Sequence, residues 1–86
     1  MSRFTVVWTK EAIEQLAEIW LDSADREKIV SITESIDLEL AVDPFWKSSE
    51  LREGLRALNL PPLRIVFSVN AEDRLVEVAR ITRLPE

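Results

Sequence analysis

Residues 59–78 read NLPPLRIVFSVNAEDRLVEV, and the period of this stretch decides the fold. Leu63, Ile65, Phe67 and Val69 occupy alternate positions, the two-residue repeat of a strand with one buried face. Arg64, Val66 and Ser68 then point the other way, onto a surface that nothing else in the chain is left to cover. Pro61-Pro62 breaks the stretch at one end, and the polar run Asn70-Ala71-Glu72-Asp73 turns the chain at the other. After that turn, RLVEVARI (74–81) reads as another strand. Val76 and Val78 share a parity that Ile81 breaks. A bulge at Ala79-Arg80 reconciles them, with Arg80 outward and Ile81 inward. Upstream, LRALNL (55–60) is a third strand in which Arg56 shares parity with Leu58 and Leu60, so the facing of Arg56 stays ambiguous. Connections this short make antiparallel neighbours, hence a three-stranded meander.

Working outward, the period changes from 2 to 3.6 on the N-terminal side of Pro44. RFTVVW (3–8) alternates as a strand with Phe4, Val6 and Trp8 on one side. Thr9 is a natural N-cap, with Glu11 and Glu14 favourably placed in the first turns of the helix that follows. Ile13, Leu16, Ala17, Trp20 and Leu21 form its apolar stripe. DSAD (22–25) makes a corner and a new cap. A second helix presents Ile29, Ile32, Ile36 and Leu40, and Asp43-Pro44 ends it. So short a joint packs two helices as an antiparallel hairpin. The expected architecture is α+β: an N-terminal strand, an antiparallel helical hairpin, then the three-stranded antiparallel meander, with the hairpin on one face of a four-stranded sheet.

Eighty-six residues make a single domain over 1–86. The 47% hydrophobic and 31% charged content describe a folded globular chain rather than a disordered one. There is no cysteine or histidine, which excludes disulfides, thiolate metal sites and imidazole catalysis. Glu14 and Glu18 lie one turn apart but have no third ligand beside them, and REG (52–54) is too short for a phosphate loop. Neither a metal nor a cofactor is expected. No apolar stretch suggests a signal peptide or membrane span, so the expectation is a cytoplasmic protein without membrane contact.

The net charge of -5 is unevenly spread. Residues 1–50 carry five basic and eleven acidic side chains, a balance of -6. Residues 51–86 carry six basic and five acidic ones, and every basic one is arginine: Arg52, Arg56, Arg64, Arg74, Arg80 and Arg83. Guanidinium forks grip carboxylate or phosphate bidentately and stay charged. An uncovered sheet face bearing Arg64, with Arg80 or Arg83 near its edge, is therefore a candidate binding surface. Trp8 and Trp20 are expected in the core. Trp46, in DPFWKSSE (43–50), either closes the bottom of the core or anchors a partner, and the core reading is preferred. Gly54 permits a turn or bulge entering the strand at 55–60.

The order strand, helical hairpin, meander, carried by VVWTKEAIEQLAEI (6–19), Asp43-Pro44 and REGLRALNLPPLRIVFSVNAEDRLVEVARI (52–81), resembles the RelE/ParE superfamily of toxins from bacterial type II toxin–antitoxin systems. The resemblance implies a small protein neutralised by a cognate antitoxin that wraps around it. It also implies one of two activities: ribosome-dependent mRNA cleavage in the RelE-like branch, or poisoning of DNA gyrase without nuclease activity in the ParE-like branch. On the RelE pattern, Arg64 matches a phosphate-clamping arginine on the third strand. Arg56 stands for the first of two basic positions on the second strand, and the other falls at Leu58. Arg83 lies near an arginine after the fourth strand, and the C-terminal tyrosine has no counterpart.

RNA cleavage also needs a proton acceptor, which arginine supplies poorly. Glu50, Glu53 or Glu77 are the available bases, and a pI near 4.7 opposes approach to ribosomal RNA. The ParE-like role fits better. Further alternatives are a family relative that only binds a partner, and a homodimer that covers the bare sheet face with its own copy. The binding candidates are Arg64, Arg83, Arg80, Arg56 and Trp46.

Overall fold

Alternation and helical periodicity translate into seven elements in the computed structural model, which describes residues 3–85. β1 (Thr5–Trp8) leads into α1 (Lys10–Leu21) and α2 (Arg26–Val42). They are followed by β2 (Ser48–Arg52), β3 (Leu55–Leu60), β4 (Leu63–Asn70) and β5 (Leu75–Arg83). The strands form one five-stranded sheet in the order β1-β5-β4-β3-β2. β5, β4, β3 and β2 are successively antiparallel, and β1 closes the other edge parallel to β5.

The caps form where short polar side chains were expected. Thr9 accepts from the Ala12 N–H at 3.1 Å, and Asp25 accepts from the Lys28 N–H at 3.1 Å. Asp43 is the C-cap of α2. The helices run in opposite directions. α1 follows β5, since Thr9 donates to the Ala79 carbonyl and Arg83 reaches Ile19 and Ser23. α2 runs against β1, since Trp8 donates to Asp37 at 2.8 Å while Phe4 N–H bonds the Ala41 carbonyl.

The core lies between hairpin and sheet. Leu63, Ile65 and Phe67 of β4 meet Val76, Val78 and Ile81 of β5, Leu58 of β3, Ala12 of α1, and Ile29, Ile36 and Leu40 of α2. The β5 bulge falls where parity demanded it. Val66 pairs with Arg80 and Phe67 with Val78, leaving Ala79 as the extra residue and keeping Ile81 inside.

Three expectations need correction. The sheet has five strands, not four, because SSELR (48–52) forms β2. Nothing in its composition favours a strand. It is an edge strand held by the backbone ladder to β3, with four of its five side chains polar, and tertiary pairing overrides weak propensity. Gly54 then serves the β2–β3 turn at φ +82, a backbone region that disfavours side chains.

The second correction concerns α1, which is rotated. It packs through Ala12, Leu16 and Ile19, leaving Ile13, Ala17, Trp20 and Leu21 exposed. At 100° per residue the apolar positions of α1 cover an arc of about 200°, twice what one sheet contact buries. Small Ala12 allows the closest approach, so that side of the arc wins. Trp20 therefore lies outside the core, whereas Trp8 packs against it.

Trp46 is the third: it is 63% exposed and not a lid on the core. Pro44 is buried in that position instead, and the turn after it throws Phe45 and Trp46 outward.

Candidate interaction surface

The helices cover one face of the sheet, so the other is left to solvent. Along β4 the burial alternates, with Leu63, Ile65 and Phe67 buried and Arg64, Val66 and Ser68 half-buried on the open side. Arg64 pairs with Asn59 of β3 and Thr82 of β5, and Val66 pairs with Ala57 and Arg80. Arg64 and Arg80 are thus diagonal neighbours on adjacent strands, roughly 7–8 Å apart at the backbone. The bulge at Ala79 is what gives Arg80 this facing. Without it Arg80 would share the parity of Val76 and Val78 and point into the core.

Beside this pair runs a groove of about 470 Å³, lined by Glu11, Leu51, Arg52, Leu55, Val66, Ala79 and Arg80. Its floor is aliphatic, from Leu55, Val66 and Ala79. Arg52 and Arg80 stand at its rim, and Glu11 enters from the first turn of α1. A register shift between Glu50 and Arg52 brings both Leu51 and Arg52 to this groove instead of to opposite sides. Among the described residues, Arg52, Arg64 and Arg80 take part in no ion pair, the one present being Lys47–Glu39 at 4.0 Å. Unpartnered guanidinium groups beside an aliphatic floor can bind a carboxylate or phosphate while burying an apolar side chain.

Three of the sequence-derived candidates lie elsewhere. Arg56 pairs with Phe67 and shares its parity, so it sits on the helix side of β3. Its guanidinium donates to the Ser48 hydroxyl at 2.8 Å and the Ser48 carbonyl at 3.0 Å, and stacks 5.2 Å from the Phe45 ring. These bonds tie β3 to the start of β2. Arg83 also turns to the helix side, where it donates to the Ile19 carbonyl at 3.2 Å and to Ser23 Oγ at 2.9 Å. A cation there complements the C-terminal end of α1. Trp46 lies with Leu38 and Val42 on a separate apolar patch at the end of α2.

Arg52 and Glu11 are the charged members of the groove that the sequence does not single out. Arg52 is brought in by β2, which has no strand signature, and Glu11 was assigned only a role in the first turn of α1. Of the proposed bases, Glu50 pairs with Arg56 on the helix side and Glu77 with Ser68 on the open face. Glu53 lies in the turn with Gly54.

No protein-family model matches the sequence, and no curated protein matches it either. The similarity is in three dimensions. A chain of the toxin–antitoxin complex RelBE2 from Mycobacterium tuberculosis superposes with a TM-score of 0.83 at 18% identity, covering 100% of this chain and 97% of that one. A chain of the chromosomal ParDE system from P. aeruginosa gives 0.72 at 22% identity, covering 95% and 97%. A chain of the archaeal RelE–RelB complex from Pyrococcus horikoshii gives 0.69 at 16% identity, covering 96% of each. The chain has the RelE/ParE-like α+β toxin fold that its order of elements predicts.

Proposed function

We propose that the chain is the toxin of a type II toxin–antitoxin pair, acting in the ParE-like manner by gripping a macromolecular target through its open sheet face, and neutralised by a cognate antitoxin. One observation carries the ParE-like choice: the groove joins the guanidinium groups of Arg52 and Arg80 to an aliphatic floor of Leu55 and Val66, with the Glu11 carboxylate among them. That mixture suits a protein segment bearing an apolar side chain and a carboxylate. A nucleic-acid backbone would meet Glu11 as a like charge and gain little from the aliphatic floor. The structural neighbours are chains of RelBE, ParDE and RelE–RelB complexes, which supports the toxin role and an antitoxin partner. DNA gyrase is the target class this reading favours.

The RelE-like reading has one observation in its favour, the half-buried Arg64 on the open face beside Arg80. Two arginines could stabilise a crowded phosphate, with Glu11 or Glu77 left to move the proton.

The two readings separate in two assays. Purified chain is expected to inhibit gyrase supercoiling in proportion to its concentration and to leave mRNA intact in a translation extract. Cuts appearing in ribosome-bound mRNA, with supercoiling unaffected, would reverse the choice.

A further inference from the structure

Ala79 and Arg80 separate the buried Val78 of β5 from the buried Ile81. Side-chain parity requires an irregularity in this interval but does not choose its place. It lies opposite Val66, where Ala79 and Arg80 both reach the open side and both line the groove. Moved one residue on, to 80 and 81 opposite Ile65, a bulge would still hold Val78 and Ile81 inside. It would also turn Arg80 out of the groove toward the helix side. The two arrangements bury the same apolar side chains, so burial separates them poorly.

Bonds from α1 and its cap do separate them. Ahead of Arg80, the Thr9 N–H donates to the Val78 carbonyl at 3.0 Å, and the Thr9 hydroxyl donates to the Ala79 carbonyl at 3.4 Å. Beyond Arg80, the Ile81 N–H donates to Gln15 Oε1 at 2.8 Å. Arg80 is thus bracketed on both sides by contacts to one element. The Thr9 N–H bond lies before the irregularity and survives in either arrangement. The Ile81 bond does not, because a bulge at 80 and 81 rotates that peptide away from α1. Ile81 is buried, so its N–H has no easy exchange of Gln15 for water. Gln15 lies one helical turn after Glu11, so a single face of α1 supplies the acid of the groove and the acceptor behind Arg80.

We propose that Gln15 is a positioning residue: its side-chain carbonyl fixes the β5 bulge opposite Val66 and so holds Arg80 in the groove. Only the expected effect on inhibition rests on reading the groove as the target-gripping site. The strand register is observed without any target.

Gln15→Met keeps the length of the side chain and loses the acceptor, whereas Gln15→Glu keeps both. Nuclear Overhauser contacts in the full chain read the register, since Val66 faces Arg80 in one arrangement and Ala79 in the other. The Val66–Arg80 contact is expected in the parent and in Gln15→Glu. In Gln15→Met it is expected to fade while a Val66–Ala79 contact appears. Thermal melts confirm folding, and Gln15→Asn, one methylene too short to reach, stands in should Gln15→Met not fold. Gyrase inhibition is expected to need roughly three- to tenfold more Gln15→Met than parent, the effect of one lost hydrogen bond. No further loss is expected when Gln15→Met is added to Arg80→Ala, because the first acts only through the second. An unchanged Val66–Arg80 contact in folded Gln15→Met, its loss in Gln15→Glu as well, or additive losses with Arg80→Ala would each overturn the proposal. A parent that does not inhibit gyrase would sink the functional reading instead, and the register contacts alone would then decide the role of Gln15.

Discussion

Arg64 and Arg56 are the same side chain on neighbouring strands, and their surroundings give them opposite jobs. Arg64 makes no hydrogen bond to a described residue, whereas Arg56 makes two to Ser48 and lies over Phe45. Arg64→Ala is therefore expected to leave the stability within about 1 kcal/mol of the parent while relieving growth arrest on expression. Arg56→Ala is expected to cost about 1–2 kcal/mol, from two lost hydrogen bonds and a ring contact. Thermal melts beside growth curves check both, and a large stability loss for Arg64→Ala would make that residue structural. The sequence distinguishes the two only in part. Arg64 alternates with three core residues and so must face away from them. Arg56 alternates with Leu58 and Leu60, so parity and charge conflict and its facing stays open in the sequence, and only the bonds to Ser48 and the contact with Phe45 explain how a cation is tolerated on the helix side.

Within single elements, local pattern decided type and packing decided facing. The bulge in β5 follows from parity alone, since Val76, Val78 and Ile81 cannot otherwise share one face. What holds it was hidden. Gln15 of α1 accepts from the Ile81 N–H at 2.8 Å, a bond across 66 residues, satisfying a donor at the strand irregularity. Gln15→Ala is expected to destabilise the fold by about 1–3 kcal/mol. Denaturant titration would measure it, and the Ile81 amide should exchange with solvent much faster. β2 was invisible because an edge strand of polar residues is defined by the ladder it borrows from β3. The face of α1 is not legible in the sequence because an apolar arc of about 200° offers two possible stripes, and the choice depends on how closely Ala12 lets the helix approach β5.

Across the whole molecule the sheet works as a partition. Its open face carries Arg52, Arg64 and Arg80, and the hairpin on its other side carries most of the acid. Effects at the two surfaces should be independent, as expected for sites without shared partners. Arg64→Ala combined with Gln15→Ala is expected to lose stability by the sum of the two single changes, checked by denaturant titration of all three variants. Among the described residues no helix is long and apolar enough to cross a membrane.

The order of the elements, the caps at Thr9 and Asp25, the β5 bulge and the open face bearing Arg64 all follow from the chain itself, because each rests on side-chain period or on bonds within a few residues. The fifth strand, the rotation of α1, the helix-side placement of Arg56 and Arg83, the exposure of Trp20 and Trp46, and the company Arg52 and Glu11 keep with Arg80 were decided only on folding. Each of these depends on contacts between segments far apart in the chain, where competition for a limited buried area selects among surfaces that local patterning leaves equally eligible.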